Sequence, residues 1–288
     1  MTDRPAASAP SAVTIAAPPA PPPFRELPWH ARITVSTVSL AAFLLLAVLS
    51  VRVLGGSGRA LDTWANFRRF LGRFFPPDFS ITGEALAALG ETIQIATLAT
   101  LFAIVLSLPL AVAGAQTLAP RWVVLSTRML LNAVRTIPSL IWALLAVAVV
   151  GANPLAGVIA LTFYSLGYLG KFYSDAFESV DPEVARALRA LGAGTVQAFQ
   201  YGLWPQARPL VWSHSLWMLE YNIRSAAIIG YVGAGGIGLQ LHAYQEYYQW
   251  DRFAAVLILI LGLVTTLDFL GEWIRRQIVR KTAAPAHP

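Results

Sequence analysis

No charged residue occurs between Thr92 and Pro120, and none between Thr136 and Gly170. A bilayer core is crossed by about 20 apolar residues in helical form. Only helices and closed barrels satisfy their own backbone hydrogen bonds in lipid. Runs of this length therefore predict an all-α, multi-pass membrane protein. Composition agrees: 56% of the 288 residues are hydrophobic and 12% are charged, against about 25% charged in a soluble domain.

The remaining spans follow. Residues Ile33–Val51 are uncharged and bracketed by Arg32 and Arg52. The 136–170 run is broken by Gly-Ala-Asn-Pro at 151–154, so it predicts a hairpin of two helices, the first beginning near Val123. Two more helices are expected at about Arg208–Gly230 and Phe253–Ile274, giving about six transmembrane helices. The expected organisation is a Pro/Ala-rich cytoplasmic tail (1–32), a first transmembrane helix (33–53), an outer loop with an interfacial helix (54–84), a core (85–276) and a basic C-terminal tail (277–288). The tail is a poor signal peptide, because its hydrophobic segment starts late and no small-residue cleavage site follows. In the outer loop, Leu61, Trp64, Phe67, Leu71 and Phe74 share one helical face opposite Asp62, Asn66, Arg69 and Arg73, the pattern of a helix lying on lipid.

Lysine and arginine placement sets orientation. With both termini in the cytoplasm, thirteen basic residues lie on that side and six on the other, with Arg135 and Arg224 inside helices. Cysteine is absent, which removes disulfides, thiolate metal sites and a cysteine nucleophile. Lys171 and Lys281 are the only lysines. The excess of arginine suits carboxylate or phosphate oxygens.

Residues Gly233-Ala-Gly235-Gly236-Ile-Gly238 match G-x-G-x-x-G. That pattern marks a dinucleotide site only between a strand and a helix. Here it follows a predicted transmembrane helix, so the expected role is a glycine-rich turn that lets chain segments pack closely at the outer mouth of a pore. No G-x-x-x-x-G-K-[ST] or G-x-S-x-G occurs, and the four histidines lack metal-ligand spacing. His214 reads as a packing residue.

Charge inside the membrane is rare and faces protein or water. Glu220 and Arg224 are four apart on the fifth helix, the favoured order for an intrahelical ion pair. Ser213 and Trp217 continue their stripe. The third helix carries Asn132 and Arg135, and the sixth carries Asp268 and Glu272 near the inner interface. Arg224, Glu220, Arg135, Asn132 and Ser213 are the candidate residues of an anion path. Between Lys171 and Pro209 runs one long polar connection. Asp181-Pro182 has the form of a helix start, Gly192 is expected to end or bend that helix, and a second short helix is expected to reach Trp204-Pro205.

Residues 186–209, "RALRALGAGTVQAFQYGLWPQARP", resemble the EAA loop of ABC-importer permeases, with thirteen residues from Gly192 to Pro205. "NAVRTIPSLI" and "RSAAIIGYVGAGGIG" resemble the same family, and "FFPPDFS" with "YGLWPQARPL" its phosphonate-transport permeases. The resemblance spans about residues 70–276. One departure is Arg186 at the position of the motif's glutamate, with Glu183 one turn earlier; Trp204 precedes the motif's proline in place of leucine.

The resemblance implies a type I ABC importer permease fold with cytoplasmic coupling helices. It implies a homodimer in the bacterial inner membrane, two separate ATP-binding subunits that hold ATP and Mg, and a periplasmic phosphonate-binding protein. The permease itself would hold no cofactor or metal and catalyse no covalent chemistry. Glu183, Arg186, Ala187, Gly192 and Pro205 would contact the ATPase through the 181–205 loop, and Gly233, Gly235, Gly236 and Gly238 would form an outer gate. Lipid is an expected partner and nucleic acid is not. Alternatives are an ABC permease for phosphite, an amino acid or a quaternary amine, and a membrane subunit of a respiratory or lipid-modifying enzyme. A quaternary amine would prefer an aromatic cage.

Overall fold

The computed structural model describes residues 35–51 and 62–282. The expected tail 1–32, residues 54–61 of the expected outer loop and residues 283–288 lie outside them. The chain forms two compact units, residues 1–62 and 63–288. In the first, α1 (Val35–Ser50) is a short apolar helix.

The second unit is helical throughout its regular structure. Amphipathic α2 (Thr63–Gly72) leads through Phe74 to a 3-10 turn at Phe79–Ile81. Phe70 and Phe74 pack on Trp250, with ring centroids 5.1 and 5.7 Å apart. Asp78 caps the 3-10 turn through the Ser80 N–H (2.9 Å) and pairs with Arg252 (3.2 Å). The Ser80 hydrogen bonds and then Arg252 hold the Asp78 carboxyl below its usual range. That contribution to stability is complete above the ordinary carboxylate pKa and is lost as pH falls through the lowered value.

Five further pieces build the bundle: α3 (Thr82–Gly114), α4 (Arg121–Thr136), α5 (Ser139–Val150), α6 (Pro154–Ser179) and α9 (Trp204–Ile229). α3, α6 and α9 pack on one another, and α4 and α5 flank α6. Lipid gives helices no hydrophobic reason to associate, so close packing through small residues takes over. α3 buries Ala96, Ala99, Ala103 and Ala111, and α6 buries Ala156, Gly157, Ala160 and Gly167. Asn222 on α9 donates to Thr100 Oγ1 on α3 (2.9 Å) and Ser165 Oγ on α6 (2.8 Å), and accepts from Ser165 Oγ (3.0 Å). All three are buried. Such bonds contribute about 0.6 kcal/mol each in a membrane, so their larger effect is to fix the register of three helices.

Among the described residues, three helices are long and apolar enough to cross a membrane, or five if each of two bent pairs counts as one span. With the shorter α1, these correspond to the six expected segments. Several boundaries differ from expectation: α3 runs Thr82–Gly114 rather than 92–120, and α11 (Trp250–Thr282) is longer at both ends than Phe253–Ile274. The helix expected from Val123 to Val150 is two helices bent by 85° at Ile137–Pro138, because a residue before proline is pushed out of the helical region; Ile137 has φ −83° and ψ 120°. α6 continues past Gly170 to Ser179. The second short helix expected to end at Pro205 instead merges, through a π turn at Phe199–Leu203, into α9. Pro205 stands in the first turn of α9, where its missing N–H costs nothing. Finally, the glycine run leads through a kinked turn at 230–236 into a helix not foreseen, α10 (Ile237–Glu246), before α11 (Trp250–Thr282).

Candidate functional site

α7 (Glu183–Ala190) and α8 (Thr195–Ala198) form the hairpin expected at 181–205. The Asp181 carboxylate accepts from the Glu183 N–H (2.9 Å). Gly192 has φ +93°, the left-handed turn that ends a helix most cheaply with glycine. α7 buries Ala185 against Ala198, Leu203 and Phe199. A Cβ on Gly202 would lie 3.0–3.2 Å from Ala185 atoms. The hairpin is thus seated directly on the turn that continues as α9. Glu183, Arg186, Ala187 and Pro205 are exposed, beside exposed Val184, Leu191, Val196 and Tyr201. The hairpin therefore presents an apolar, charged surface on a firm root. Arg186 and Arg189 line a cleft of about 180 Å³ with Thr117, Leu118 and Pro182.

A strand does not precede the glycine run: α9 does. Gly235 and Gly236 have φ +83° and +70° and pack against Pro154 of α6 and Thr92 of α3. The Ile237 N–H donates to Thr92 Oγ1 (2.9 Å). Gly238 packs on Gly230 and Ala227 of α9 and its end, and Gly233 packs on Ala152. The run ties the end of α9 to the start of α6 and to α3 at Thr92, eleven residues into that helix, within one chain.

The expected Glu220–Arg224 pair is not formed. Both side chains turn to α11 instead: Glu220 pairs with Arg275 (2.5 Å) and Arg224 with Asp268 (2.8 Å). The Glu220 carboxylate lies over Gly271, where a Cβ would collide with it. A partner on a facing helix satisfies each charge without the two competing along one helix. Ser213 is half-buried on α9 and takes no part in these pairs.

Asn132 is exposed on α4 and lines a cleft with Arg128, Lys171 and Asp175. There Arg128 pairs with Glu178 (2.6 Å) and Lys171 with Asp175 (3.4 Å). Further along the same face, half-buried Arg135 sits 5.4 Å over the Tyr168 ring. A Cβ on Gly167 would lie 3.0–3.2 Å from Arg135 backbone and Cβ atoms, so the absent side chain lets α4 cross α6 at this point.

Around Tyr168 lies an aromatic cluster that the sequence reading missed. Tyr164 stacks on Tyr221 (5.3 Å, 12°) and the two hydroxyls share a 2.7 Å hydrogen bond. Tyr168 lies 4.9 Å from Tyr164, and Trp217 stacks on Tyr221 at 5.8 Å. Phe172 stacks on His214 at 4.9 Å, which gives His214 the packing role expected of it. The signal available was the spacing of aromatic residues at 164, 168 and 172 and at 214, 217 and 221, one face on each of two helices.

Comparison with known proteins agrees with this architecture. The family described as "Binding-protein-dependent transport system inner membrane component" matches residues 103–280. The phosphite transport system permease protein PtxC of Stutzerimonas stutzeri is 37% identical over 207 residues, 72% of this chain and 75% of PtxC. The phosphate-import permease protein PhnE of Mycolicibacterium smegmatis is 32% identical over 246 residues, 83% of this chain and 44% of PhnE. A chain of the MetNI methionine ABC transporter, solved in an inward facing conformation, superposes with a TM-score of 0.62 at 24% identity, over 70% of this chain and 99% of that one. The chain belongs to the binding-protein-dependent transport system inner membrane component family, as a multi-pass permease subunit of an ABC importer.

Proposed function

We propose that this permease moves a phosphonate or a related phosphorus oxyanion, such as phosphite, into the cell by alternating access. The cargo reading is supported by the names of relatives, which include phosphite and phosphate-import permeases. The mechanism rests on one observation above others: the 181–205 hairpin is seated on the turn that becomes α9, while its outer surface stays exposed. Two separate ATPases, which bind ATP and Mg, dock there. Their closure pushes the hairpin, and α9 transmits the push to the core.

In this reading the permease acts as a homodimer, has both termini in the cytoplasm, and receives cargo from a periplasmic binding protein. Glu183, one turn before Arg186, supplies the carboxylate that faces the ATPase, together with Ala187, Gly192 and Pro205. The glycines 233, 235, 236 and 238 serve as the outer gate, because they pack the end of α9 against the start of α6 and against α3 at Thr92.

The test is ATP hydrolysis by the reconstituted complex. Phosphonate- or phosphite-loaded binding protein is expected to stimulate hydrolysis, and methionine or choline is not. Gly202→Val forces the 3.0–3.2 Å contact with Ala185 apart. It should reduce stimulation by about tenfold or more while unstimulated hydrolysis by docked ATPase persists, since overpacking costs roughly 1–3 kcal/mol. Wild-type stimulation in this variant would remove the hairpin from the mechanism. Stimulation by choline in place of the oxyanions would replace the cargo.

A further inference from the structure

We infer that Arg135 and the hydroxyls of Tyr164, Tyr168 and Tyr221 form an intramembrane contact for the anionic group of the cargo, a tetrahedral phosphorus oxyanion. The inference rests on the oxyanion reading above and adds the place where that anion is met.

Among the described arginines that reach no carboxylate, Arg135 is half-buried, whereas Arg68, Arg69, Arg73, Arg121, Arg186, Arg189 and Arg208 are exposed. Arg128, Arg224, Arg275 and Arg276 each reach a carboxylate: Glu178, Asp268, Glu220 and Glu272. Arg135 reaches none among the described residues, and its guanidinium lies over the Tyr168 ring. An uncompensated guanidinium within a spanning segment is costly, and such residues face a water-filled cavity or a partner charge. The bend beside it points the same way. Residues Ile137 and Pro138 leave the helix between α4 and α5, an apolar pair bent by 85°. Irregular backbone at membrane depth is tolerated only inside protein or along a wet cavity.

The surroundings suit an anion in transit. Gly167 brings the α4 backbone against α6, which sets Arg135 above Tyr168. The planar guanidinium can meet two phosphoryl oxygens at once. The Tyr164 and Tyr221 hydroxyls, bonded to each other at 2.7 Å, can exchange that mutual bond for one to the anion. Neutral hydroxyls lend hydrogen bonds without adding charge, so the contact stays weak enough to release, as conduction requires. The same rings would otherwise form a cage for a quaternary amine. Arg135 already occupies the Tyr168 face and would repel a cationic cargo.

The experiment measures uptake of phosphite and methylphosphonate by the full complex in proteoliposomes, per assembled complex. Loss of a charged hydrogen-bond donor costs about 1.5–3 kcal/mol, so Arg135→Gln should slow uptake by about tenfold to more than a hundredfold. The gap from wild type should widen between about pH 5 and about pH 9, as the second proton leaves the phosphoryl group. A merely structural arginine would not produce that pH dependence. Arg135→Lys keeps the charge and guards against misfolding; it should assemble and transport more slowly than wild type, because the paired donors are lost. Uptake by Arg135→Lys equal to wild type at both pH values, or by Arg135→Gln within twofold, overturns the inference. Wild-type complex that moves neither anion refutes the oxyanion reading itself, so the two failures are distinguishable.

Discussion

Gly238→Ala is expected to abolish accumulation of folded permease in the membrane. A Cβ at this position falls on the Ala227 carbonyl oxygen, 2.7 Å from the Tyr231 backbone nitrogen and 2.8 Å from Gly230 Cα. Every one of these atoms is backbone, so none can rotate away. The start of α10 would have to lift off the end of α9, and with it would go the Ile237 N–H bond to Thr92 on α3. Overpacking in a core that can relax costs about 1–3 kcal/mol; a backbone collision on this scale should exceed that range. Gly262→Ala is the matched control. Nothing lies within 4 Å of a Cβ there, midway along α11, and alanine favours a helix by about 1 kcal/mol over glycine. Membrane yield and thermal unfolding in detergent decide it. A Gly238→Ala protein that unfolds at the wild-type temperature would mean that α9 and α10 do not pack this way.

Glu220→Ala should be the most destabilising single change among the intramembrane charges. Its side chain is 11% exposed and the Arg275 side chain 27%. Removing one member of a buried pair costs about 3–5 kcal/mol; the partial exposure of Arg275 places this case toward the lower end of that range. Glu220→Met with Arg275→Met should recover much of the loss, since an apolar replacement of both charges is often tolerated. Arg224 and Asp268 are 40% and 52% exposed, so their pair should contribute less. Thermal unfolding in a double-mutant cycle separates the pairings. Coupling of Glu220 to Arg275 is expected, with none to Arg224. The reverse pattern would restore the intrahelical pair that the four-residue spacing implies.

The spans were legible because lipid imposes a strong rule: the uncharged runs at 92–120 and 136–170 leave a helix as the one economical structure. Chain breaks were harder to read, because proline acts by position. Pro138 sits where α4 and α5 bend apart by 85°, whereas Pro205 sits in the first turn of α9, just past the π turn, and the chain stays helical there. The α7 turn at Gly192 was readable from local backbone chemistry, and the structure has it there. Partners between helices were not. Spacing within α9 suggests Glu220 with Arg224, but the choice of Arg275 and Asp268 depends on which helix faces α9 and on the notch at Gly271. The tyrosine cluster was hidden for the same reason. Tyr164 and Tyr221 are 57 residues apart, and each alone is an ordinary aromatic residue in an apolar helix.

We propose that this chain forms the membrane path of an ATP-driven importer for a phosphorus oxyanion. The direct measurement is accumulation of labelled phosphite or methylphosphonate in proteoliposomes holding the permease with its ATPase and its binding protein. The expected result is uptake that needs ATP, needs the loaded binding protein, and is not competed by choline or methionine. Accumulation of choline or methionine, with no accumulation of either oxyanion, would contradict it.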